Sequence, residues 1–224
     1  MGQRLSLKVC TVTTGDLQLV LPGQTPYVAA TATAANEATR EAIEHTLQFG
    51  DKFEFINLGN FRENPAHSVY RMKKRQSSIP EIVRLSPDKN RFRCFTLVLV
   101  DSRPIGQLVL SILRRSFAPH LRPKIQLYHA FRSNNAKKIL AYGFEEEYGY
   151  GIQICTEILT MTCTGVDFRK TGLVIQVEVP TDPETIAQRG GRAGRDKSMK
   201  ADLVTMAQES MFYDSKEGKK QLKK

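Results

Sequence analysis

The chain has 224 residues, 41% hydrophobic and 25% charged, a balance that excludes a disordered chain and suits one ordinary domain with flanking pieces, or two small ones. The net charge of +10 is uneven: residues 62–138 hold 17 Lys/Arg and 4 Asp/Glu, and the rest holds 16 and 19. Charge gathered in one segment favours a polyanion partner, nucleic acid first, with a solvated basic surface as the alternative.

In chain order, Tyr27, Val28, Ala29 and Ala30 read as a short buried strand running into the polar turn Thr31-Ala32-Thr33-Ala34. Asn36 is a suitable N-cap for a helix over residues 37–48, with Ala38, Ile43 and Leu47 at helical spacing and Gly50 as its stop. Residues 53–58 (Phe-Glu-Phe-Ile-Asn-Leu) alternate like a strand. Residues 59–78 are polar and basic and read as a linker. An α/β rhythm follows: a doubly buried strand at residues 95–100, a helix at 105–115 with Pro104 near its first turn, and a strand at 125–128. A helix at 134–144, strands at 152–155 and 173–177, a helix starting near Pro183 and a short strand at 201–204 complete it. Such alternation suits right-handed crossovers and predicts a parallel sheet covered by helices. No apolar run is long enough to span a bilayer, so no membrane partner is expected. Cys10, Cys94, Cys155 and Cys163 show no CxxC spacing, which points to buried free thiols and no metal site.

The most informative stretch is Gln188-Arg189-Gly190-Gly191-Arg192-Ala193-Gly194-Arg195-Asp196. Arg192 and Arg195 stand three residues apart, on one side of a helical turn if the segment is helical. Two guanidiniums facing one way can meet phosphate oxygens through forked, charge-assisted hydrogen bonds, and the small residues between them let a backbone approach a ligand. A Gly/Arg-rich surface loop touching nothing is the alternative.

In their order, these segments resemble the C-terminal motor half of a RecQ-like superfamily-2 DNA helicase, preceded by the last part of its first half. Thr31 to Ala34 resemble helicase motif III, and Asn60-Phe61-Arg62-Glu63-Asn64-Pro65 the N/F-R-x-N-P segment after it. Val98 to Arg103 resemble motif IV, Tyr128-His129-Ala130 the strand end that usually reads Y-H-A-G, and Cys155-Thr156-Glu157 with Gly165-Val166-Asp167 the two ends of motif V. The stretch from Gln188 matches the Q-x-x-G-R-A-G-R-D of motif VI throughout.

The resemblance implies a RecA-like parallel β-sheet flanked by helices at residues 79–205, after an incomplete remnant of the first lobe at 1–58 and the linker at 59–78, with a basic tail at 206–224. In that family two lobes close on ATP and magnesium and move 3′ to 5′ along DNA. Carried across, Gln188, Gly191 and Asp167 would bind nucleotide, and Arg192, facing the nucleotide and the first lobe, would be catalytic together with Arg195, the arginine finger. Ser102, Arg103, His129 and Thr156 would grip the DNA backbone, and residence would be nuclear. The plain alternatives are a capped histidine at 129, a turn hydroxyl at 156 and a solvated charge at 103.

The chain also departs from the pattern. It holds no G-x-x-x-x-G-K-[ST] loop: the nearest match, starting at Gly191, puts Asp196 where the second glycine must stand. It holds no D-E-x-H or D-E-x-D box, Thr160-Met161-Thr162 replace G-M-G, and Phe131 stands where glycine usually follows Y-H-A. Phosphoryl transfer depends on positioning and charge stabilisation. This chain by itself is therefore expected not to hydrolyse ATP, and ATP and magnesium would bind only with a first lobe supplied in cis. Two functions stay open: the second motor lobe of an ATP-dependent helicase, and a non-catalytic or decayed helicase-derived nucleic-acid-binding protein.

Overall fold

A strand covered on both faces needs a near-continuous apolar run, and three such runs form the middle of one sheet. The computed structural model describes residues 28–30, 37–47, 49, 53–57, 62–73, 79–86, 88–129, 131–145, 151–156, 170–180 and 183–212. It divides the chain into two units, Met1–Phe61 and Arg62–Lys224.

The second unit holds six strands: β1 (Pro65–Met72), β2 (Phe95–Val100), β3 (Ile125–Tyr128), β4 (Ile152–Thr156), β5 (Thr171–Val177) and β6 (Ala201–Gln208). Their order is β1-β6-β5-β2-β4-β3, and every neighbouring pair is parallel. Parallel neighbours require crossovers. Of the chain's helices, α1 (Glu37–Leu47) lies in the first unit. The crossovers of the second contain α2 (Arg103–Ser116) between β2 and β3, α3 (Asn134–Glu145) between β3 and β4, and α4 (Pro183–Gly190) between β5 and β6.

The better-filled face of the sheet packs Val98, Val100, Ile125, Ile152, Ile154, Ile175 and Met206 against Val109 and Leu113 of α2 and against Ile79 and Ile82 of a 3-10 segment. Ser102 caps α2 by accepting from the Ile105 N–H at 3.4 Å, Pro104 fills its first turn, and Arg114 and Arg115 complement the dipole at its last. A Cβ on Gly106 would stand 2.9 Å from Leu127 Cδ1, so the helix lies close on the sheet. Leu97, Leu99, Cys155, Val174 and Leu203 on the other face meet Leu140 of α3 and Ala193, just beyond α4.

The expected parallel sheet and its crossover helices are present, while four local expectations differ. Residues 59–78 are not a continuous linker, because β1 pairs with β6 from Pro65 to Met72. It buries only those two end residues, and an edge strand so polar carries no apolar signature. The short strand expected at 201–204 runs on to Gln208. Residues 28–30 and 53–57 form no strand, since a strand needs a paired neighbour and the described residues of the first unit offer none. In that unit α1 buries no residue, and Arg40 ion-pairs with Glu37 and Glu44 at 3.6 Å while lying 5.1 Å over the Phe55 ring. Asn36, the Thr31 to Ala34 turn and most of the expected tail at 206–224 lie outside the described residues.

Candidate functional site

Ligands of open α/β sheets gather at the carboxyl ends of the strands. Val100 pairs with Thr156 and Tyr128 with Cys155, so β2, β4 and β3 end at one level. Asp101, Ser102, Arg103, Thr156 and His129 therefore share that sheet end. Thr156 is half-buried as the last residue of β4. The Ser102 hydroxyl already serves the α2 cap, and the exposed Arg103 guanidinium lies 5.0 Å over the Phe131 ring. His129 is half-buried, and its Nδ1 has no hydrogen-bond partner. Burial, with the charges of Arg132, Arg103 and Lys137, holds its pKa below the ordinary value. Asp167 lies outside the described residues.

The segment at residues 188–196 begins on α4 and is fastened through its backbone. Its turn closes through Gly191 N–H to Ala187 O at 2.8 Å, Arg192 N–H to Arg189 O at 3.1 Å and Ala193 N–H to Gly190 O at 3.0 Å. Gly194 then adopts φ +53° and donates to Thr171 O at 3.0 Å. Arg62 donates to Ala193 O at 2.7 Å, Gly194 O at 3.3 Å and Gly190 O at 3.5 Å. Asn64 Nδ2 reaches Gly194 O at 2.6 Å, Met199 O at 3.0 Å and Asp196 O at 3.2 Å, while Asn64 O accepts from Ala201 N–H at 3.2 Å. The residues leading into β1 thus clamp the loop leading into β6. A Cβ on Gly194 would lie 2.6 Å from Asn64 Nδ2, so the turn needs glycine for space as well as for its left-handed backbone.

Both arginines singled out by spacing stay out of the core: Arg192 is half-buried and Arg195 exposed. They do not stand three residues apart on one helix, because α4 ends at Gly190 and Gly194 reverses the backbone sign between them. Their surroundings differ accordingly. The Arg192 charge acts on the buried Cys155 thiol, opposing the upward push of burial on its pKa. Arg195 donates weakly to Gly191 O at 3.4 Å, and its charge joins burial in lowering the pKa of Arg62. Gln188 is half-buried on α4, and a Cβ on Gly191 would stand 3.2 Å from Gln188 O.

The sequence reading missed Arg189, which is 1% exposed and the largest fully buried side chain of the described residues. Its Nη1 donates to Asp101 Oδ1 and to Gln176 Oε1, each at 2.8 Å, and Gln176 Nε2 donates to Val177 O at 3.1 Å and Glu178 O at 3.0 Å. The pair joins the loop of residues 188–196 to the carboxyl end of β2. A lone Asp closing an apolar strand was the available signal, but nothing local names its partner.

Solved structures with this fold include domain 2 of the DEAD-box helicase Mss116p bound to an RNA duplex, 20% identical over 66% of this chain and 56% of that one, with a TM-score of 0.52. S. cerevisiae Dbp5 bound to RNA and ADP BeF3 is 16% identical over 92% of this chain and 51% of that one, at 0.67. The fold is that of a RecA-like helicase lobe. The DUF1998 helicase MrfA bound to DNA shares the fold at 18% identity, over 64% of this chain and 20% of that one, at 0.53. The chain thus spans about half the length of the Mss116p and Dbp5 structures it matches. No protein-family model matches it.

For a nucleoside triphosphate, the residues of this lobe fit one side only. Two guanidiniums outside the core can meet phosphate oxygens. The 224 residues hold no phosphate-binding loop, and no cluster of three metal-ligating side chains occurs among the described ones.

Proposed function

We propose that the chain is the second motor lobe of a RecQ-type, ATP-dependent 3′–5′ DNA helicase that resides in the nucleus. In this reading Ser102, Arg103, His129 and Thr156 hold the DNA backbone. Gln188, Gly191 and Asp167 serve the nucleotide, and Arg192 and Arg195 face a triphosphate and magnesium held by a first lobe. The observation that carries it is the clamp of Arg62 and Asn64 on the loop of residues 188–196: five backbone-directed hydrogen bonds hold the loop, and a sixth reaches Met199 just beyond it, while both arginines stay outside the core. An arginine poised on a transferring phosphoryl group is worth about 10³–10⁵ in rate, and only where the rest of the site is present.

The second reading is a non-catalytic nucleic-acid-binding protein, favoured by Thr160-Met161-Thr162 in place of G-M-G. Both readings require binding to the phosphate backbone. Fluorescence anisotropy of the full chain with labelled oligo(dT) should show affinity falling log-linearly with salt. Affinity indifferent to salt, or absent at low salt, would overturn both. A phosphate loop and a D-E-x-H box in frame ahead of Met1 favour the motor; their absence there favours the binding protein. Polarity, and preference for DNA over RNA, would be read from the reconstituted two-lobe protein.

A further inference from the structure

Phe131 is 81% exposed, against 47% for Phe55, the next most exposed phenylalanine among the described residues. Water-facing aromatic surface contributes nothing to folding at about 25 cal/mol per Å² of burial, so the packing of this lobe does not account for a phenylalanine here. The ring follows β3, at the same sheet end as Ser102 and Thr156. It is also held in place. The Arg103 guanidinium lies 5.0 Å from its centroid, and the His129 ring stands 6.4 Å away, tilted by 49°. Arg132, close by, is anchored by its Nε donating to Leu127 O at 2.8 Å.

A flat ring backed by a guanidinium and bordered by cations has the chemistry of a stacking platform for unpaired bases. Every base offers a π-face, the cations answer the phosphates on either side, and a paired base has no free face to offer. We propose that Phe131, braced by Arg103, stacks on an unpaired nucleobase, so that the lobe holds a single strand by a base as well as by its backbone. The inference rests on the reading that this sheet end faces nucleic acid, and it adds a preference for single strands that backbone contacts do not supply.

The sequence contains no tryptophan, so Phe131→Trp would place a single tryptophan at the platform, selectively excited at the red edge of the tyrosine absorption. The full chain is titrated with a single-stranded DNA oligomer, the RNA of the same sequence, the same DNA with abasic residues, and its duplex. Stacking on one base is worth about 1–3 kcal/mol, which is roughly fivefold or more in affinity. The intact single strands should bind at least that much more tightly than the abasic strand. Phe131→Ala should bring them down to the abasic level and leave abasic binding unchanged. Phe131→Trp should keep the preference, with its emission quenched on binding. Loss in both the DNA and RNA arms assigns the base as the shared ligand, and loss in one arm assigns that strand. Equal affinity of wild type and Phe131→Ala for intact strands would overturn the platform while leaving backbone binding in place. Failure of every oligomer to bind would overturn the proposed function as well.

Discussion

Asp101 and Arg189 show how a part-exposed carboxylate comes to hold a buried cation. A buried guanidinium left without its counter-charge costs more than removing both charges. Arg189 is 2% exposed in its side chain and Asp101 40%. Asp101→Ala should therefore destabilise the protein by about 2 kcal/mol, the low side for a buried pair because one partner is wet. Arg189→Met should cost less. Urea unfolding checks the order, and a reversed order would mean that Gln176 alone satisfies the cation. At His129 the sign follows from a pKa held below its ordinary value by burial and by Arg132, Arg103 and Lys137. The unfolded chain then binds the proton more readily, so the stability His129 contributes is complete above about pH 6.5 and falls as acid is added below it. A bound phosphate would offset those cations and raise the pKa. Affinity for oligo(dT) should therefore rise as pH falls from about 7 to about 5.5, and His129→Asn should flatten the rise.

Among elements, β1 is the one whose role was hidden. Its residues read as a polar connector because the strand lies at the sheet edge and buries only its ends. Its lead-in holds the loop of residues 188–196 across some 130 positions of sequence. Asn64→Ala would remove the Nδ2 contacts to Gly194, Asp196 and Met199. A net hydrogen bond contributes about 1 kcal/mol, and two or three part-buried ones lost together predict about 1–3 kcal/mol of destabilisation. Hydrogen exchange should then quicken at Gly194 and Ala201, with β2 and β4 unchanged. Uniform quickening would mean that Asn64 supports the whole sheet and not the loop.

For the whole molecule, the decisive property is where charge lies. The basic excess of residues 62–138 falls within the second unit, and that unit carries the sheet end where Arg103 and His129 stand. A cation that neutralises one phosphate of a single strand contributes about −0.7 to the slope of log affinity against log salt. Arg103→Gln should make the slope shallower by about that amount with oligo(dT). An unchanged slope would place the contact surface elsewhere on the unit.

What was legible beforehand was whatever depends on near neighbours in sequence. The apolar runs of β2, β4 and β5, the Pro104 turn of α2, and the Gly/Arg loop after α4 are all local patterns of two- or four-residue reach. The first unit shows the limit of such patterns, since alternation at residues 53–58 promised a strand and residues 53–57 form none. Only the tertiary structure paired β1 with β6, set Arg189 on Asp101, clamped the loop with Arg62 and Asn64, and laid Arg103 over Phe131. Each of these joins groups distant in the chain, and a hydrogen bond, ion pair or ring contact forms wherever folding brings its partners within about 3–6 Å, which no local spacing encodes.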